Sequence, residues 1–258
     1  MARSPAPASR SSLNPFYALL GVVALGGIAF LVYTVSSREK PTTGPVEVAL
    51  TAADLNRVQG ISIGEADAPV VLMEFADFQC PACGQFAAFI APLIKERLVE
   101  PGIVRYIYYD FPLIDLHPHA FLAARAGRCA NEQGRFWEFH DRVYGAQSEW
   151  SGSSDPTAQF VRLAAASGAE EDAFEGCLRS DRFAREVTES LRFGEMMRVN
   201  GTPTLFVNGK RISPTPASFR EIEEIVMAEA GSGSAAGPVG NSVPAPAPAG
   251  DSVAAATP

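Results

Sequence analysis

Cys80 and Cys83, with Pro81 and Ala82 between them, are the residues of this chain best suited to chemistry. Two thiols at that spacing can close on each other, hold half of a zinc site, or form a bridge with a purely structural role. Zinc needs four ligands in a tetrahedron, yet no second Cys-x-x-Cys follows, and His117 and His119 have no third ligand nearby, so no metal site is expected. A structural bridge across two residues closes too small a loop to stabilise much. Reversible thiol chemistry is the remaining reading, and it needs no cofactor. A thiolate at a helix N-terminus or in a Cys-x-x-Cys has a pKa of about 3.5 to 7.5, against about 8.5 for a free thiol. Cys80 would then be the nucleophile, and Cys83, one turn deeper, the thiol that resolves a mixed disulfide.

That chemistry needs a strand that delivers the pair and a helix that opens on it. Pro69 to Ala76 is an apolar run of strand length, β-branched at its start, as expected for a strand covered on both faces. Gln85 to Val99 carries Phe86, Phe89, Ile90, Leu93, Ile94 and Leu98 at helical steps, with a kink expected at Pro92. Gly102 to Phe111 reads as a second strand, so the unit is βαβ with a parallel pair. From Pro118 to Val199 the pattern is helical, with breaks near Gly134, Ser151 to Asp155 and Gly168, and Asp155-Pro156 is expected as an N-cap followed by proline at the first helical position. The stripe Phe183, Val187, Leu191, Gly194 and Met197 is expected to pack in the core, as are Phe136, Trp137, Phe139 and Tyr144. Thr204 to Val207, Asn208-Gly209 and Arg211-Ile212 form the pattern of a hairpin, and Phe219 to Ala228 that of a closing amphipathic helix.

Outside this region the composition changes. Residues 1–15 are mostly Ala, Ser, Pro and Arg and read as a disordered cytoplasmic tail. Residues 16–35 hold no charge and match the roughly 20 residues of a transmembrane helix, here an uncleaved anchor; a cleaved signal peptide is the alternative, although no clean small-residue cleavage site follows. Arg3 and Arg10 before the run balance Arg38 and Lys40 after it, so the positive-inside count gives no orientation. The acids Glu39, Glu47 and Asp54, and the oxidising surroundings that a working cysteine pair needs, place the domain outside the cytoplasm. Residues 36–60 read as a linker, 61–230 as the folded domain with its helical insertion at 118–199, and 231–258, with Asp251 as the only charge, as a disordered low-complexity tail. With Arg3 and Arg10 set aside, 19 basic residues face 29 acidic ones, a net of −10 against −8 for the whole chain. A nucleic-acid partner is therefore not expected.

Several motifs together resemble the DsbA-like thioredoxin-fold oxidoreductases. They are Gly64 with Ala68-Pro69-Val70, Glu74-Phe75-x-Asp77-Phe78-x-Cys80-Pro81-x-Cys83, Asp110-Phe111-Pro112-Leu113, His117-Pro118-x-Ala120, Phe136-Trp137-x-Phe139-His140-Asp141 and Gly201-Thr202-Pro203-Thr204. The resemblance runs over residues 61 to 228 and implies an α/β class, a thioredoxin fold with an inserted helical domain, preceded here by one N-terminal transmembrane helix. It implies that Cys80 is the nucleophile, Cys83 the resolving cysteine and Pro203 a cis-proline facing them; an ordinary trans proline is the alternative. Thr202 and Pro203, with Pro81 and Ala82, would then meet an extended client as an added strand. Glu74 matches the buried acid that passes a proton to Cys83; its alternatives are a carboxylate with a surface partner, or Asp77 in the same role, unless Asp77 caps the helix. Ala82 departs from the strongly oxidising members, which place a histidine between the cysteines.

Cys129 and Cys177 are expected to pair as a structural disulfide inside the insertion, two inert buried thiols being the alternative. His117 and His119 are expected to order the approach to the insertion. The expected activity is disulfide donation to cysteine-bearing exported proteins, with reoxidation by a quinone-linked membrane thiol oxidase. A reductase or isomerase is the alternative, and a non-catalytic peptide-binding module the alternative of another class.

Overall fold

The computed structural model describes residues 15–36, 58–212 and 218–232. The expected tail at 1–15 and linker at 36–60 lie almost wholly outside these residues, as does nearly all of the tail at 231–258. Residues 1–40 form one unit and the rest of the chain another.

In the first unit, Pro15–Ser36 is a 22-residue α-helix (α1) without a charged residue. Its described side chains are exposed, among them Leu19, Leu25, Phe30 and Leu31. Counting only the described residues, no helix is long and apolar enough to cross a membrane.

The second unit is built on a five-stranded sheet of β1 (Ile61–Ile63), β2 (Val70–Ala76), β3 (Val104–Asp110), β4 (Thr204–Val207) and β5 (Lys210–Arg211), in the order β1-β3-β2-β4-β5. β2 and β3 run parallel, with Glu74 opposite Tyr108, and β4 lies antiparallel to β2 on its other side. Every residue of β2 and β3 is buried, which explains why they read as continuous apolar runs and not as alternating ones. Asn208 and Gly209 both take positive φ, the conformation that a two-residue hairpin turn demands. β1, three residues at the antiparallel edge beside β3, is too short to leave a signal in the sequence.

The two faces of the sheet hold separate cores. Val70, Leu72, Tyr106, Leu205 and Val207 pack under the helix after the cysteines and under α10 (Phe219–Gly231). Val71, Met73, Phe75, Ile107, Tyr109 and Phe206 pack against α9 (Ala184–Met196) through Phe193. The result is a helix–sheet–helix sandwich. The cysteine helix is broken as Pro92 requires: α2 (Pro81–Phe89) stops, α3 (Ala91–Ile94) resumes with the proline in its first turn, and Lys95–Val99 winds as a π-helical turn.

Between β3 and β4 lies the helical insertion, with α4 (Ala120–Glu132), α5 (Phe136–Gly145), α6 (Gln147–Trp150), α7 (Thr157–Ala166) and α8 (Glu171–Arg179) leading into α9. Gly134 and Gly168 take positive φ at two of the breaks. Pro156 sits one place earlier than expected, before the helix, while Asp155 Oδ1 still accepts from Thr157 N at 3.0 Å. Cys129 and Cys177 are joined by a disulfide with a Cα separation of 5.8 Å, fastening α4 to α8. In α9, a Cβ on Gly194 would lie 2.4 Å from Phe111 Cδ2, so this glycine is what lets the helix approach the end of β3.

Candidate active site

β2 ends at Ala76 and the chain turns through Asp77-Phe78-Gln79 into α2, whose N-cap is Cys80 in extended conformation with Pro81 at the first helical position. No side chain caps this helix, which leaves its N-terminal N–H groups available to an anion at Cys80. Asp77 is therefore not the helix cap that the sequence suggested. Its buried carboxylate holds the turn itself, accepting from Gln79 N at 2.7 Å and Leu113 N at 2.9 Å, with His117 Nδ1 at 2.7 Å.

Both thiols of the pair are free. Cys80 is 7% exposed and Cys83 fully buried, so a partner can reach only the first. The Cys83 thiol donates to the Cys80 sulfur, and this above all pulls the Cys80 pKa down to about 5, against burial. Thr202 and the backbone N–H groups of Cys83 and Ala82 favour the thiolate too. Cys83 moves the other way. Burial, and then the neighbouring Cys80 sulfur, push its pKa well above the ordinary thiol value. The two sulfurs are thus divided into a ready thiolate and a protonated donor.

Across from the pair, the Thr202–Pro203 peptide bond is cis. The Cys80 thiol lies 3.4 Å from the Thr202 carbonyl oxygen. Pro81 and Ala82 are exposed and Thr202 and Pro203 half-buried, so all four border the accessible edge of the sulfur.

Glu74 lies on the central strand, 2% exposed, which excludes a surface partner. Its Oε2 accepts from the Tyr106 hydroxyl. Burial raises its pKa to about 7, against the opposing pull of Tyr106 and Lys95. Its charge raises Cys83 in turn, which couples the two sites. Tyr108 and Tyr144, hydroxyl to hydroxyl at 3.4 Å, extend this buried polar patch.

Several residues of the site left no trace in the sequence. Gln147, at the start of α6, donates from Nε2 to the carbonyls of Phe78 (2.7 Å) and Cys80 (3.0 Å). Gln79 accepts from His119 N at 2.7 Å and donates to Ser151 O at 2.9 Å. These amides tie the cysteine turn to the insertion at separations of 40 to 72 residues, which no local pattern encodes. His117 and His119 serve this same junction, His119 Nε2 lying 2.6 Å from Ser153 O. His140 is buried among Phe78, Tyr108, Phe136, Trp137 and Tyr144, and burial lowers its pKa in spite of Asp141.

Comparison with known proteins agrees with this geometry. A family model described as thioredoxin matches residues 56–226. A probable disulfide bond formation protein D of Bacillus anthracis is 28% identical over 164 residues, 62% of this chain and 75% of that one. The Na(+)/H(+) antiporter NhaA 3 of Salinispora tropica is 39% identical over 148 residues, 57% of this chain but 21% of that protein, so the match spans a small part of this relative's length. The oxidised crystal structure of BdbD from Bacillus subtilis superposes with a TM-score of 0.62 at 24% identity, covering 74% of this chain and 99% of that one, and so shares its fold.

Proposed function

Because the chain belongs to the thioredoxin family, we propose that it is a thiol-disulfide oxidoreductase that introduces disulfides into cysteine-bearing exported proteins. One observation carries this reading: a buried turn bordered by exposed Pro81 and Ala82 presents a low-pKa Cys80, backed by a buried, protonated Cys83 and faced by a cis Thr202–Pro203 bond. In the oxidised state a client thiolate attacks Cys80 Sγ. The Cys80–Cys83 bond breaks, and Cys83 leaves with the bonding pair and takes up a proton, for which Glu74, a buried acid with its pKa near neutrality whose charge acts on Cys83, is the source. A second client thiolate then attacks the client sulfur of the mixed disulfide and releases Cys80 as the thiolate. Two client thiols lose two electrons and two protons; the cysteine pair gains the electrons, one proton rests on Cys83 and the other goes to solvent.

Thr202 and Pro203, with Pro81 and Ala82, are the surface on which an extended client lies. The pair must be reoxidised after each cycle, and a quinone-linked membrane thiol oxidase is the partner proposed. The domain works outside the cytoplasm, held by α1 as a single-pass anchor. The support for the anchor lies in the sequence, where residues 16–35 run for 20 positions without a charge. Segment 1–15 is then the cytoplasmic tail, 36–60 the linker and 231–258 a trailing low-complexity tail. Ala82, which brings no charge between the cysteines, favours a second reading in the same class, a reductase or isomerase.

The test is to mix oxidised full-length protein with a reduced, unfolded client. A client disulfide should appear for each Cys80–Cys83 dithiol formed; Cys83→Ser, its Cys80 first activated as a mixed disulfide with 2-nitro-5-thiobenzoate, should exchange that leaving thiolate for a client thiolate and accumulate the Cys80–client disulfide; and Cys80→Ser should be inert. Unchanged client binding and unchanged client oxidation in the double Cys→Ser variant would identify a binding module instead.

A further inference from the structure

The loop after β3 and the side of α9 enclose a cavity of about 250 Å³, walled by Phe111, Leu116 and Leu191 and bordered by Asp115 and Glu195. Both walls are attached to the active-site turn. Phe111 N donates to Ala76 O at 2.8 Å, and Leu113 N to Asp77 Oδ2 at 2.9 Å, while Cys80 N donates to Asp77 O at 3.0 Å. The other wall, α9, runs on through Val199 to the cis Thr202–Pro203 bond. The cavity therefore opens at the same end of the sheet as the reactive sulfur.

Its lining is apolar and its rim is acidic. Leu116 is 73% exposed and Ile114, which also lines the cavity, is exposed too, an apolar patch that water covers at a cost. Asp115 and Glu195 are exposed, and no side-chain ion pair or hydrogen bond joins either to another of the described residues. The volume falls below the roughly 300–1,000 Å³ usual for a small-molecule site and suits one large side chain. An apolar hollow with two uncompensated carboxylates selects an apolar side chain that has a cation beside it. The chain's own residues 231–258 do not match, since they contain no Lys or Arg.

We propose that this cavity is a client subsite, which takes a Leu- or Phe-sized side chain of an extended client segment bearing Lys or Arg within a residue or two, while the client's cysteine reaches Cys80. The proposal rests on the thiol-disulfide reading above and names which clients that site prefers. Asp115 and Glu195 are specificity residues here; neither touches the reacting sulfurs.

The test uses the full chain in detergent micelles, oxidised at Cys80–Cys83, and follows its reduction by three single-cysteine peptides whose flanks are Leu with Lys, Leu with Glu, or Ser with Lys. Glutathione, too small to fill the cavity, is the reference thiol. The Leu–Lys peptide should react fastest. The double charge reversal Asp115→Lys with Glu195→Lys should shift the Leu–Lys to Leu–Glu rate ratio by about fivefold, in the range expected of a few exposed charge pairs, and leave the glutathione rate unchanged. Leu116→Ser, at an exposed position that the fold does not need, should erase the advantage of Leu over Ser. Ratios that stay the same in both variants, with glutathione reactivity intact, overturn the subsite and leave the oxidoreductase standing. A native chain that glutathione cannot reduce strikes the oxidoreductase reading instead. Deletion of residues 37–57 that accelerates all three peptides alike would show the cavity to be filled by the chain's own linker, and would also overturn the proposal.

Discussion

At Cys80 the decisive quantity is the division of one proton between two sulfurs. Cys83 keeps it because ionising inside the core is costly, and by keeping it stabilises the Cys80 thiolate through a hydrogen bond. Alkylation of the reduced protein should therefore occur at Cys80 alone, with a rate that rises with pH to a midpoint near 5. The same shift sets a stability difference. Between the folded value of about 5 and the ordinary value of 9.0, the unfolded chain holds a proton that the folded one does not, so the reduced form gains stability as pH rises through that window. Denaturant midpoints should show the reduced form more stable than the oxidised at pH 8, with the excess lost as pH falls through 5. Glu74 has the opposite sign. Its pKa is raised from 4.5 to about 7, so the folded state holds the extra proton, and burial of the carboxylate weakens the fold as pH rises from 4.5 to 7. Glu74→Gln should gain stability on the order of 3 kcal/mol at pH 8 and none at pH 4. It should also slow departure of Cys83 from the disulfide and remove the pH dependence of that step near 7.

At the scale of elements, the insertion holds the cysteine turn in place as well as covering it. Gln147→Leu removes two hydrogen bonds to the turn and leaves two carbonyls without their donor, which should cost about 1–3 kcal/mol by denaturant unfolding and slow the reaction of Cys80 with peptides. Replacing Cys129 and Cys177 together with Ala should cost about 2–4 kcal/mol, from the loop of 48 residues they close, and leave the thiol chemistry of Cys80 intact. The elements that sequence alone made legible are those whose causes are local. The Pro92 break, the Asn208-Gly209 turn and the buried strands β2 and β3 follow from backbone chemistry and from the apolar run. β1 was not legible, because three edge residues carry no period. The part of Asp77 is not legible for a related reason: its sequence position leaves a cap or a proton-passing role open, and only the folded chain brings Leu113 and His117 to it. Tyr106 and Gln147 meet Glu74 and Cys80 solely through tertiary packing.

For the whole molecule, a thioredoxin-family domain follows an uncharged helix. The direction in which electrons flow depends on how much more stable the folded dithiol is than the disulfide. Hydrogen bonds to Cys80, that of the Ala82 backbone N–H among them, favour the dithiol, although the Ala82 side chain adds no charge to that balance. Equilibrating the full chain with glutathione buffers of known ratio, and trapping free Cys80 and Cys83, measures this balance directly. The expected result is half-reduction at a potential of roughly −120 to −200 mV, in the range of disulfide donors and isomerases. A pair that stays oxidised to about −300 mV or below, as structural disulfides do, would contradict the account.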